Sequence, residues 1–450
     1  MFDTKYMSII KDKNFFFILI LLIFSRIIVN LMDIQLFGIS YGFHLLDKKL
    51  LQYDLSASLF YLHSQPLGWN LYVGILTKIF NGNEIFINIF FEIYQIFLTL
   101  IILKYTILII QEIFKINTKV KFFFVFFIIL NPSILFWEKI FSYQHTICTL
   151  LIIISYLIIK LFKTKNTKYE LYIYLILFLL SLIWSAFQPI LILFIFMFLR
   201  LLKLKIKKNG IFIFILILFL SLIPFIKNKL IFNSFTVGSW AGHQLSTTFL
   251  DWKDKCDLLN PSQINSKEGI NDLKMYEKIY KRTFSHPSLI GESSRYNFVG
   301  IIYSSQECLK ITMKRVFNNP EEYLIGRINA FLASHGKFAF DFMYPKPLNW
   351  DNYYKYLDNL YENKNYKLIR QGLIFIYMMS VYIFFCFIIF LSNEKDHIKK
   401  SYLTIFAIYT YILVVGHLAT GHEQSRMMYS GFIIHLLFYA NIIKKIFYEK

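Results

Sequence analysis

Acidic residues are scarce in this 450-residue chain: 28 Asp and Glu stand against 48 Lys and Arg, a formal charge of +20. In a soluble protein that excess would suggest a nucleic-acid partner. Here the basic residues gather in short loops between long apolar runs, the pattern of topology signals, and nucleic acid is excluded as a partner. Cysteine is scarce too, with four in all. Cys148 and Cys386 fall inside apolar runs, where a thiol is a small apolar filler; Cys256 and Cys308 fall together in the one long polar stretch and are expected to pair in an oxidising compartment. The ten His residues show no metal-ligand spacing, so no zinc site is expected. GSWAGHQ, Gly238 to Gln244, lacks the strand–loop–helix frame of a phosphate loop and reads as a tight external turn. The N-terminal apolar run is longer than a signal-peptide core and has no small-residue cleavage site, so it reads as a retained first span with Lys5, Lys11 and Lys13 in the cytoplasm. No internal repeat is visible, which weighs against a transporter or flippase.

What the chain has instead is apolar length. Hydrophobic residues make up 56% of it, with 50 Phe, in runs near the roughly 20 residues that cross a hydrocarbon core. Placing the Lys-rich loops inside gives ten spans: Phe15 to Met32, Ile85 to Ile110, Phe122 to Trp137, Ile147 to Leu161, Leu171 to Ser185, Ile190 to Leu202, Ile211 to Ile226, Leu368 to Leu391, Tyr402 to Leu418 and Tyr429 to Ile443. Both termini are then cytoplasmic and the location is the cytoplasmic (inner) membrane. The fold class expected is an all-α polytopic membrane protein in three parts. Residues 1–226 form a transmembrane module whose first external loop is 33–84, residues 227–367 a mainly α external domain, and residues 368–450 the C-terminal helices. One choice decides the orientation. Pro66 to Phe80 is long enough to be counted as a span, which would invert every later loop; the positive-inside bias makes it an amphipathic helix lying on the outer surface.

This threading collects the polar residues on one side. Outside lie Asp33, His44, Asp47, Asp54, His63, Gln65, Glu138, His145, Gln188, His243 and Glu423. Glu138, Lys139 and His145, like His422, Glu423 and Arg426, sit in short loops at span ends, where an ionisable group is costly unless paired or used. Arg26 lies within the first span, where it either snorkels to lipid phosphate, pairs with a carboxylate of another span or meets a donor phosphate. Asp47, Lys48, Lys49 and Asp54 precede the helical pattern SASLFYLH, and Pro66 is placed to start the amphipathic run. Together they make a carboxylate-bearing platform beside the membrane. NNPEEYLIGRINAF reads as a capped helix of the external domain, with Pro320 at its start and Glu321 and Glu322 in its first turn.

The stretch FHLLDKKLLQYDLSASLFYLHSQPLGWNLYVGILTKIFNG resembles the first external loop of membrane glycosyltransferases of the GT-C fold, the superfamily of protein O-mannosyltransferases and lipid A aminoarabinose transferases. The likeness rests on H-x-Q-P-L at His63 to Leu67 and on the acidic loop at Glu138, in the expected order, and it covers residues up to about 200. GISYGFH departs from the pattern, having no acid where relatives carry theirs, so Asp47, Asp54 and Asp33 compete for the role of base. The resemblance implies an inverting transferase that moves a sugar from a polyprenyl-phosphate donor to a glycan, lipid or protein acceptor on the outer face, among membrane lipids. A carboxylate would take the proton of the attacking hydroxyl, with Asp47 first choice. Glu138 would orient the acceptor or help hold a divalent cation, the one cofactor considered. Lys48, Lys49, Lys139, Arg295 or Arg426 would stabilise the leaving phosphate, with His63, Gln65, His145 and Glu423 completing the substrate-binding set. The alternatives are a lipid-linked glycan polymerase or ligase and, from another class, a transporter or flippase.

Overall fold

The computed structural model describes residues 13–31, 38–39, 45–113, 118–202, 204, 208–246, 277, 286–289, 297, 299–336, 376, 380–392, 394–419, 429 and 431–448. Among them every regular element is helical and no strand occurs. Three helices, Glu84–Ile113, Gln144–Thr164 and Gly210–Phe232, are long and apolar enough to cross a membrane, and shorter apolar helices accompany them. The first is 30 residues, about 45 Å at 1.5 Å per residue. Large apolar side chains stand exposed along it, among them Ile85, Phe86, Ile89 and Ile93. A helix apolar all round belongs in a core or in lipid, so the surface is consistent with a helical membrane protein.

The bundle helices are α1 (Lys13–Leu31), then, after a surface group, α5 (Glu84–Ile113), α6 (Thr118–Ile129), α7 (Pro132–Glu138), α8 (Gln144–Thr164), α9 (Thr167–Ile183), α10 (Pro189–Leu201) and α11 (Lys208–Phe232). The surface group is α2 (Lys48–Tyr53), α3 (Leu55–Phe60) and α4 (Leu67–Ile79). Beyond the bundle come α12 (Ala241–Ser246), α13 (Val299–Asn318) and α14 (Pro320–Gly336). The chain then returns through α15 (Ser380–Leu391), α16 (Asp396–Ala419) and α17 (Phe432–Tyr448).

Polar contacts fix the direction of the helices. Thr99 at the middle of α5 meets His145 at the start of α8, and Glu112 near the end of α5 meets Lys160 and Lys163 near the end of α8. The two helices are therefore parallel. At the first end also lie the α4–α9 contact, where a Cβ on Gly68 would come 2.6 Å from the Leu182 carbonyl, and the Tyr429–His145 contact. At the opposite end Glu170 of α9 meets Arg200 of α10 and Tyr402 of α16 meets Asn441 of α17 at 2.7 Å.

The run Phe122 to Trp137, expected as one span, is two helices. Pro132 has no amide hydrogen to donate and disfavours α geometry at Asn131, so α6 ends at Ile129 and the short α7 starts afresh, Asn131 Oδ1 accepting from Ile134 N. The amphipathic reading of Pro66 to Phe80 corresponds to α4. It turns Trp69, Asn70, Val73, Leu76 and Thr77 inward while Leu71, Ile75 and Ile79 face out, an apolar outer face suited to lipid. NNPEEYLIGRINAF begins α14 at Pro320 as expected. Cys308 is disulfide-bonded, Cys148 and Cys386 are free, and Cys256 lies outside the described residues.

Candidate functional site

The α6–α7 break returns Glu138 to the end of the bundle where α4 docks. There it is 3% exposed and faces Arg26 of α1. Arg26 Nε and Nη2 donate to its two carboxylate oxygens at 2.7 Å each, and Nη1 donates to the Ile129 carbonyl at 2.7 Å and to Ser25 Oγ at 3.0 Å. This bidentate geometry is the strong form of the pair, and Arg26 takes the second of its three anticipated courses. Thr99 Oγ1 donates to Glu138 Oε1, so His145 Nε2, 2.9 Å from that hydroxyl, is the donor to it. His145 Nδ1 is left to accept from the Tyr429 hydroxyl at 2.5 Å. The result is a directional relay from Tyr429 through His145 and Thr99 to Glu138. A second pair lies alongside: Lys139, also buried, meets Glu92 of α5 and donates to Asn30 Oδ1 at 2.5 Å. The two cations and two carboxylates balance.

Around the 139–143 turn that joins α7 to α8, several buried polar atoms have no partner among the described residues. They are both side-chain amide atoms of Gln144, Oε1 of Gln95, Nε1 of Trp69 and the Tyr72 hydroxyl. Gln95 Nε2 reaches the Ser142 carbonyl at 3.4 Å, and Trp69 packs on Phe141 and Tyr143. Donors and acceptors so placed are satisfied by water or by the hydroxyls of a ligand.

The first loop stands beside this network. Asp47 is exposed and caps α2, accepting from Lys49 N at 2.8 Å. Lys48 pairs with Glu84 at 2.8 Å, while Lys49 is exposed. Asp54, half exposed, accepts from His286 Nε2 at 3.0 Å, and the His286 ring stacks on Tyr61. Gln65 is buried next to Pro66.

His63 is buried, with both ring nitrogens bonded inside the protein. Nε2 donates to the Asn297 carbonyl at 2.8 Å, so Nδ1 accepts from Ser239 Oγ at 2.9 Å. Asn297 Oδ1 also accepts from His63 N at 2.8 Å. Burial, reinforced by the neighbouring Lys227 ammonium, holds the imidazole pKa down at about 3, against the pull of the Asn297 carbonyl. In this structure His63 clasps the first loop to the segment beyond α11.

In GSWAGHQ the backbone amides are already used: Gly238 N donates to Thr236 Oγ1, Ser239 N to the His63 carbonyl and Gly242 N to Ser305 Oγ. A phosphate loop needs those amides free; the segment is a turn leading into α12.

Asp33, Arg295, Glu423 and Arg426 lie outside the described residues. Of the other nominated groups, the fold brings Glu138, Lys139 and His145 into one cluster and gathers Asp47, Lys48, Lys49, Asp54, His63 and Gln65 on the adjoining loop. Among the described residues no three His, Cys, Asp or Glu side chains stand together as metal ligands. With both Glu138 oxygens engaged by Arg26 and Thr99, the arrangement does not fit a divalent ion there. Sequence reasoning missed Glu92, Gln95 and Thr99, although E-x2-Q-x3-T is a polar stripe on one face of an otherwise apolar helix. Asn297, His286 and Tyr429 carried no such signal.

A scan against protein-family models finds no match, and neither a curated protein nor a solved structure matches the chain.

Proposed function

We propose that the protein is an inverting glycosyltransferase of GT-C type, with ten spans in the cytoplasmic membrane, taking a sugar from a polyprenyl phosphate on the outer face. The observation that carries this reading is the Arg26–Glu138 pair, buried at the bundle end where the first loop docks and extended through Thr99 and His145 to Tyr429. Ionisable groups so placed are retained for use. In the reaction a first-loop carboxylate takes the proton of the acceptor hydroxyl as its oxygen bonds to the anomeric carbon, and the bond from that carbon to the donor phosphate breaks. The leaving phosphate needs charge stabilisation more than a proton. Geometry favours Asp54 over Asp47 as the base: it is half exposed and receives a hydrogen bond from a histidine, whereas Asp47 serves as a helix cap. Glu138 and its relay position the acceptor from behind.

A second reading, a lipid-linked glycan polymerase or ligase, is favoured by Arg26 and His145 at the centre of the network. One experiment separates the two: deletion of the gene and mass spectrometry of surface glycans, lipid A and glycoproteins. Loss of a single sugar with build-up of a polyprenyl-phosphate sugar supports the transferase. Loss of a whole chain supports the ligase, and an unchanged envelope sinks both.

A further inference from the structure

The cations nominated for the donor phosphate are largely spent: Lys139 on Glu92, Lys48 on Glu84 and Arg26 on Glu138. Lys227, near the outer end of α11, differs from them. Its Nζ turns inward and donates to the Leu62 carbonyl, and among the described residues it forms no ion pair with a carboxylate. Two residues on, Lys229 does what a lysine at a helix end ordinarily does, staying exposed and bonding Asn233 Oδ1 at 2.6 Å. Lys227 forgoes that freedom and lies against His63, whose ring nitrogens are bonded to Ser239 and Asn297 and which burial keeps neutral. An ammonium in such a place keeps donor capacity and an uncompensated charge, which is costly unless an anion arrives. The adjacent Asn228 is 2% exposed and leaves its Oδ1 without a partner, while its Nδ2 donates to the Thr236 carbonyl at 2.5 Å. That acceptor suits a hydroxyl.

We propose that Lys227, at the junction of the 61–65 loop with the 234–239 turn, binds the phosphate of a lipid-linked phosphate ester, and that Asn228 takes a hydroxyl beside it. The identification of the lipid rests on the transferase reading; the anion site does not. An apolar chain attached to the phosphate has the exposed apolar side chains of α11, such as Ile223, Ile226 and Leu230, to lie along.

The test is binding, with no transfer required. Purified protein in detergent is titrated with farnesyl phosphate, farnesol and inorganic phosphate, using the wild type, Lys227→Met and Lys227→Arg. The expected result is that farnesyl phosphate binds at least about tenfold more tightly than farnesol. Lys227→Met should lose that preference, Lys227→Arg should keep most of it, and inorganic phosphate should compete only weakly. Equal affinity of wild type and Lys227→Met for farnesyl phosphate overturns the proposal, as does inorganic phosphate binding as tightly as the lipid. If Lys227→Met does not elute as a single species, the wild-type preference decides: no preference for farnesyl phosphate over farnesol is a refutation. Phosphate binding in a protein that transfers no sugar would remove the transferase reading and leave this site standing.

Discussion

Glu138 and Arg26 are more informative as a pair than singly. Removing one partner of a buried ion pair leaves the other charge uncompensated and costs about 3–5 kcal/mol, whereas replacing both by apolar residues is often neutral. Glu138→Gln is therefore expected to lower the thermal midpoint in detergent strongly, and the double variant Arg26→Met with Glu138→Leu to recover most of the loss while remaining inactive. A Glu138→Gln midpoint equal to wild type would contradict the pairing. His63 makes a prediction in pH. Its folded pKa of about 3 lies below the ordinary 6.5, so between those values the unfolded chain binds the extra proton and stability falls as pH falls, by up to about 1.4 kcal/mol per pH unit. Chemical denaturation between pH 4 and 7, in wild type and His63→Asn, should show a shallower acid limb in the variant. Identical slopes would show that His63 is not the buried neutral group.

At the scale of elements, the close approach of α4 to α9 places the first loop. A Cβ at Gly68 would come 2.6 Å from the Leu182 carbonyl, a main-chain atom that cannot swing away. Gly74, on the same helix, abuts only the flexible end of Leu55. Gly68→Ala is expected to cost about 1–3 kcal/mol through overpacking, and Gly74→Ala less; the reverse order in urea unfolding would contradict the docking described. The helices themselves were legible because their signals are local: apolar length for α5 and α8, Pro66 and Pro320 at helix starts, the amphipathic pattern of α4. The break at Asn131–Pro132 is equally local, but the apolar run continues across it and masks it. The site was only half legible. Glu138, Lys139 and His145 were marked by being ionisable beside the membrane, but their partners are set by packing across 112 positions for Arg26–Glu138 and 234 for His63–Asn297. Such pairings have no periodicity to read. Nor does composition reveal which carboxylates are spent: Asp47 caps α2 through a local bond from Lys49 N, whereas Asp54 faces His286 only because the fold brings 54–61 against 286–289.

For the whole molecule, the decisive feature is that polar groups sort to two ends. One end carries the first loop, Glu138, His145 and Tyr429; the other carries Glu112 with Lys160 and Lys163, and Glu170 with Arg200. The proposed orientation, drawn from the positive-inside bias, puts the second end in the cytoplasm, and the transferase reading depends on it. Glu138 is too buried to report on it, but Lys49 and Lys165 are both exposed. The measurement is labelling of Lys49→Cys and Lys165→Cys with a membrane-impermeant maleimide, against the unsubstituted protein as background. The account predicts that position 49 reacts in intact cells and position 165 only after permeabilisation. Reaction of position 165 in intact cells, or of both positions from one side, would contradict it.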